Sequence, residues 1–424
     1  MPPAPFDRVV LGDLVLPDGV LPGGYVAVRG EAIAAIGQGA PPPAEAVADH
    51  AGMLVLPGLV DGHMHTSSST GWPGIEGASM SAAAGGVTTI VTRPDTLPTI
   101  DTPETLEFVA RRAAADSPVR VLPMAALTKG REGREMTEIA FLKDAGAVAF
   151  TDGDRVTEDT RVLARALTYA RGLDALVVTH VQDPGLSRGA VMTSGKFASL
   201  RGLPAVTPMA ERLGLERDLA LAEMTRAALH ADQVTTAAAL PSLLRAKEQG
   251  FDVTAGISVH HLTLNDFDVG DYRTFFKLVP PLRQEEDREA AVEALASGLL
   301  DCLGSFHTPQ DEESKRLPFE AAAPGAVGLE TLLPAALRLV HAGRLSLPQL
   351  VRALALNPSR RLGLPTGRLA KGAPADLVLF DLHAPFVLDR WQMLSKSKNT
   401  PFDGARLQGR VKGTWVAGRR VQES

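Results

Sequence analysis

From Met53 onward the chain alternates between short runs of Val, Leu, Ile and Ala and stretches with helical or loop character. The first run is Leu56-Pro57-Gly58-Leu59-Val60-Asp61-Gly62-His63-Met64-His65. Seven more follow: Val87 to Thr92, Val119 to Leu127, Ala145 to Phe150, Ala175 to Val181, Leu229 to Thr235, Val253 to Val259 and Leu299 to Phe306. Eight strands alternating with helices over about three hundred residues predict an α/β fold of the TIM-like (β/α)8 barrel type. In such a barrel the chemistry sits at the C-terminal strand ends.

The two ends of the chain read differently. Residues 6 to 36 are short strands broken by turns such as Pro17-Asp18-Gly19, a β meander that leads through Pro41-Pro42-Pro43 into the barrel. After Leu364-Pro365 strand-like runs return, from Gly367-Arg368-Leu369 through Ala375 to Phe380 and Arg406-Leu407 to Val411–Val416. The expectation is a small composite β domain, a β-sandwich of residues 1–55 and 366–424, beside a barrel of residues 56–365.

At 424 residues the chain suits a large barrel with a smaller companion. Its 43 basic and 49 acidic residues, without a basic block, argue against nucleic acid or an anionic membrane as the main partner. Cys302 is the only cysteine, so no internal disulfide forms, and no apolar stretch is long enough to span a bilayer. The N-terminus lacks a charged-then-apolar signal pattern, and the expected compartment is the cytoplasm.

His63 and His65 end the first run one residue apart, and alternate strand residues share a face, so both imidazoles can point at one centre. Two histidines near a strand end are more often ordinary packed or surface residues; their position at the start of a barrel pattern gives the metal-ligand reading its weight.

The residues of this stretch, with those of Ala82 to Thr89, Leu97 to Glu104, Ala149-Phe150-Thr151-Asp152, Pro280-Pro281-Leu282-Arg283 and Asn399-Thr400-Pro401-Phe402, occur in the same order in a known family. Over nearly its whole length the sequence resembles the dihydroorotase branch of the cyclic amidohydrolases, which also includes allantoinase and hydantoinase. That resemblance implies a two-zinc site built from six positions. The His-x-His maps onto His63 and His65, the bridging carboxylate onto Asp152, and the strand-five histidine onto His180. The strand-six histidine position holds Gln233, and the strand-eight aspartate position holds Phe306 in Phe306-His307-Thr308-Pro309.

The family's aspartate binds metal and takes the proton from the attacking water, and a phenyl ring does neither; loss of a general base alone costs about 10²-fold to 10⁴-fold in rate. Gln233 offers only a neutral carbonyl oxygen, a weak zinc ligand beside imidazole. The expectation is at most one zinc ion, held by His63, His65, Asp152 and His180. With all four bound the tetrahedral shell is closed to water and the site is structural.

The substrate side changes with the metal side. By resemblance, the carboxylate of the substrate is held by an arginine two residues after the His-x-His, an asparagine in a Met-Pro-Asn motif and a histidine after the strand-eight proline. Here those positions hold Ser67, Asp95 in Arg93-Pro94-Asp95, and Gln310. An aspartate at that place is expected to repel an anion. His260 and His261 follow strand seven, and His261 is carried as a pocket position, although both are more simply read as shaping a loop. His230 and Cys302 read as packing, His307 as a group behind the site, and His50, His341 and His383 as surface residues.

Three readings are open. The first is a dihydroorotase-like protein of pyrimidine biosynthesis with impaired or absent hydrolysis, a pseudoenzyme; degenerate members of the family are noncatalytic partners of aspartate transcarbamoylase, and the resemblance implies that partner, with further copies of the chain, here. The second is an active metal-dependent cyclic amidohydrolase, of dihydroorotase, allantoinase or hydantoinase type, with a mononuclear or altered site. The third is an ordinary dihydroorotase in which Asp301 or Asp311 supplies the base.

Overall fold

The computed structural model describes residues 6–64 and 72–423, with the side chains of 63–64 and 72–75 outside that description. The chain opens with strands β1 (Phe6–Leu16), β2 (Gly19–Arg29), β3 (Ala32–Gln38) and β4 (Ala44–Pro57). The barrel strands follow as β5 (Leu59–Met64), β6 (Val87–Thr92), β7 (Arg120–Pro123), β8 (Phe150–Thr151) and β9 (Val177–Thr179). A two-residue pair, β10 (Met192–Thr193) with β11 (Ala205–Val206), interrupts the alternation before β12 (Leu229–Ala231), β13 (Val253–Ser258) and β14 (Cys302–Gly304). The chain closes with β15 (Leu377–Val387), β16 (Arg406–Val416) and β17 (Arg419–Glu423).

Strands β5, β6 and β7 pair in parallel, as do β8, β9, β12, β13 and β14 in that order. A parallel bridge from Ala125 to Phe150 joins the two groups. Across the remaining seam the backbone N–H of Ser305 donates to Asp61 Oδ1 at 2.8 Å, so the residue after β14 is fastened to β5. The result is the (β/α)8 barrel, with strand interiors such as Leu59, Ile90, Val177, Ala231 and Ile257 fully buried.

The sequence runs overestimate several strands. Ala145 caps the helix Ile139–Asp144 and Gly146 turns at φ +106, so the stretch from 145 is mostly helix end and turn, and only Phe150–Thr151 pairs. His260 and His261 do not extend β13; they lie in the helical turn Val259–Thr263, which Ser258 caps by accepting the His261 N–H.

The other strands form one seven-stranded sheet in the order β17-β16-β15-β4-β1-β2-β3, which builds the β-sandwich unit. Its core gathers Val10, Leu14, Val26, Ile33, Val55, Leu377, Leu379 and Trp415, drawn from both ends of the chain. Leu54 to Pro57 pair with β15 in this sheet, and the barrel begins only after Gly58, where a β-carbon would collide with the Thr88 side chain. Among the described residues no helix is long and apolar enough to cross a membrane.

Candidate functional site

At the C-terminal end of the barrel lies a cavity of about 900 Å³, bordered by Arg131, Asp154, Arg155, His180, Gln182 and Pro280 among others. His180 directly follows β9, and burial holds its imidazole below the usual histidine range, with Arg93 acting in the same direction against the opposing charges of Asp232 and Asp154. His180 therefore sits neutral at the mouth, the form in which it could bind a metal.

Asp152 follows β8, but its carboxylate is committed elsewhere. Oδ1 accepts the Thr128 N–H at 2.9 Å, while Oδ2 accepts the Thr128 hydroxyl at 2.6 Å and the Thr157 hydroxyl at 3.2 Å. Burial raises its pKa, and these hydrogen bonds oppose the rise. Both oxygens thus have protein donors. The residue beside it, Gly153, has φ +71, and the space in front of its α-carbon is filled by the Arg93 and Arg131 guanidinium groups.

Gln233 is buried at the end of β12, its Nε2 donating to the Val279 carbonyl at 3.5 Å and its Oε1 without a hydrogen-bond partner among the described residues. Phe306 is buried two residues beyond β14 with φ +47, a backbone region that bulky residues avoid. Its ring folds back beside Gly304.

The substrate positions are also occupied by internal contacts. Asp95 does not stand as a lone negative charge: its Oδ2 is 3.9 Å from Arg93 Nε, so the repulsion expected from the sequence is offset by a neighbour two residues away. His261 Nε2–H donates to the Pro280 carbonyl at 3.1 Å, and Nδ1 pairs with the Ser258 hydroxyl at 2.7 Å. Burial lowers its pKa to about 3. Gln310 donates to the Pro324 carbonyl at 2.8 Å and borders a separate pocket beside Lys315 and Lys398. The His63 side chain, His65 and Ser67 lie outside the described residues.

Two further family motifs prove to be structural. Arg283 is fully buried and donates to the Thr235 hydroxyl at 2.9 Å and to Glu211 Oε2 at 3.1 Å; Glu211 in turn accepts the N–H groups of Thr235 and Thr236 at 2.7 and 2.8 Å. This network fixes the strand-six end. Asn399 donates to the Thr308 and Gly325 carbonyls, each at 3.0 Å, and fixes the strand-eight loop.

The remaining histidines and acids fall away from the mouth or behind it. His307 Nδ1 accepts the Gly328 N–H at 3.2 Å, His260 stacks on Phe402, His230 pairs with Thr254, and His341 and His383 are exposed. Burial pushes the Cys302 thiol up, as befits a core residue. Asp301 precedes β14, at the opposite end of the barrel from the cavity, and binds Lys247 at 2.7 Å; Asp311 caps the exposed helix Glu312–Arg316. Asp301 is thus on the wrong side of the barrel to serve as base, and Asp311 is engaged as a helix cap beside a separate pocket.

Among the described residues no three His, Cys, Asp or Glu side chains converge as a metal-holding group. The orphaned Gln233 oxygen and the neutral His180 could face a cation. The bound Asp152, the guanidinium groups before Gly153 and the Phe306 ring do not fit a two-zinc centre.

Comparison with known proteins places this geometry. A family profile described as dihydro-orotase-like matches residues 52–237, and one described as the amidohydrolase family matches residues 292–422. The chain is 39% identical over 412 residues to a dihydroorotase of Syntrophus aciditrophicus (strain SB), covering 96% of this chain and 95% of the relative. It is 38% identical over 401 residues to that of Bacillus pumilus (strain SAFR-032), covering 94% of each. Its fold superimposes on L-hydantoinase (dihydropyrimidinase) from Arthrobacter aurescens with a TM-score of 0.88 at 27% identity, over 99% of this chain and 96% of that one. By sequence and fold together, the chain belongs to the dihydroorotase family of cyclic amidohydrolases.

Proposed function

We propose that this chain is a dihydroorotase-family protein of pyrimidine biosynthesis that does not hydrolyse dihydroorotate efficiently and acts in the cytoplasm as a noncatalytic partner of aspartate transcarbamoylase. The observation that carries the first half is Phe306: the strand-eight position from which the family takes its proton-accepting carboxylate presents a buried hydrocarbon ring. The engagement of Asp152 by Thr128 and Thr157 supports it, because the remaining candidate bridging group is already satisfied. The partner role is what the resemblance to degenerate members of the family implies.

The test is zinc content and dihydroorotate turnover measured on one purified sample. No more than one zinc per chain and no turnover are expected; two equivalents with ordinary turnover would sink the reading. Co-purification with aspartate transcarbamoylase, and loss of that enzyme's assembly when this chain is removed, test the partner half.

A second reading, an altered cyclic amidohydrolase with at most one metal and a neutral or cationic ring substrate, is favoured by the open cavity bordered by His180 and Asp154. Turnover of such an amide with dihydroorotate left untouched would select it.

A further inference from the structure

Arg93 follows the second barrel strand, β6, at the point where the family resemblance has a methionine, and it is 3% exposed. A β-carbon placed on Gly153 would stand 3.0 Å from Arg93 Nε and 3.1 Å from Arg131 Nη2. We propose that Arg93 is a resident cation of the barrel mouth, a guanidinium seated in front of Gly153 that excludes a metal ion from the strand-four side of the site. The proposal rests on the reading above and deepens it, naming the group that blocks the second metal.

Three relationships support it. First, the carboxylates nearby already have their counter-charges. Asp154 Oδ1 is 3.4 Å from Arg93 Nη2 and 2.7 Å from Arg131 Nη2, and Asp95 Oδ2 is 3.9 Å from Arg93 Nε. A divalent ion placed among them would meet two fixed cations before it met an uncommitted anion. Second, a guanidinium carries only N–H donors and no acceptor lone pair, so Arg93 cannot itself become a ligand to a metal that approaches its seat. Third, residue 153 is a glycine with φ +71, so that position carries no side chain to compete with the guanidinium for its seat.

The full chain is stripped with chelator and titrated with zinc, and bound metal is read by equilibrium dialysis for wild type and variants, with thermal unfolding to confirm that each is folded. Arg93→Met is expected to gain one equivalent of zinc or to bind it about tenfold more tightly, and Arg93→Gln, a polar fallback should Met not fold, to move the same way. Arg93→Lys, which keeps the charge, is expected to stay at the wild-type level, and Arg93→Met combined with Gly153→Asp to exceed the single variant. Zinc affinity of Arg93→Met or Arg93→Gln within about twofold of wild type would overturn the proposal, as would an equal gain in Arg93→Lys. Turnover of dihydroorotate by the wild type would instead overturn the functional reading alone, so the two failures are distinguishable.

Discussion

Thr128 holds Asp152 twice, through its backbone N–H to one carboxylate oxygen at 2.9 Å and its hydroxyl to the other at 2.6 Å. The same hydroxyl accepts the Gly133 N–H at 2.8 Å, so one side chain joins the strand-four end to the loop after β7. Thr128→Val removes the hydroxyl and takes one hydrogen bond each from the buried Asp152 carboxylate and the half-buried Gly133 N–H, at a cost of about 1–3 kcal/mol. Thr128→Ser should recover most of that loss. Denaturant unfolding of the two variants checks the pair; equal midpoints would contradict the assignment.

Asp152 also carries a pH signature. Burial, its leading influence, raises the folded pKa above the unfolded value. Its contribution to stability is therefore fully present below the ordinary aspartate pKa and is lost as pH rises through the raised folded value. Asp152→Asn, whose amide can accept from Thr128 N–H and donate to a threonine hydroxyl, is expected to remove this dependence and to gain on the wild type toward neutral pH. Unfolding free energies measured from pH 4 to 8 would show the two curves diverging; parallel curves would refute it.

His261 acts in the opposite sense. Its pKa is lowered to about 3, first by burial and then by Arg283 and His260. The neutral ring stabilises the fold above the unfolded histidine value, and that stability is lost as pH falls toward the folded value, on the order of several kcal/mol over the whole range. His261→Gln should flatten the acid limb of the stability profile below pH 6.5. An unchanged limb would assign acid unfolding to other groups, such as His260 with its pKa of about 4.

Removing Arg283 leaves the Glu211 carboxylate buried beside two threonines without its cation. Arg283→Met is expected to cost about 3–5 kcal/mol, and the double variant with Glu211→Gln to recover part of it. The interaction energy from this double-mutant cycle is the readout, and simple additivity of the two changes would disprove the coupling.

Phe306→Asp puts back the carboxylate of the family at strand eight without the rest of the site. It trades a buried ring for a charge and should destabilise by about 3–5 kcal/mol. Turnover of dihydroorotate is expected to stay absent, because Asp152 remains bound by its threonines and Arg93 remains in front of Gly153. Measurable hydrolysis by this single variant would show that the strand-four side is competent.

The barrel could be read from the sequence because strand and helix periods alternate regularly, and β6 carries the predicted limits, Val87 and Thr92. The pairing of the chain ends was legible from turn-bounded runs such as Ala375 to Phe380. The orientation of Asp152 was not, because it depends on a threonine 24 residues away on a neighbouring loop. Arg93 was visible as a charge in place of the methionine of the family, but comparison at ligand positions passes over a residue that is not itself a ligand. What Gly153 permits appears only once the guanidinium is seen in front of it.

The seven-stranded sheet imposes an order on the birth of the molecule. Pro57 pairs with Leu377, so the edge of β4 that β15 will cover waits through 320 residues (377 minus 57) of synthesis. At the ribosome's pace of about 5–20 residues per second, that is roughly 16 to 64 seconds during which Leu54, Val55 and Leu56 have no strand to lie against on that side. The barrel can close in the interval, but the companion unit cannot. A newborn chain of this protein can thus carry a closed barrel beside an open hydrogen-bonding edge, the state in which chaperones would meet it and in which aggregation would begin.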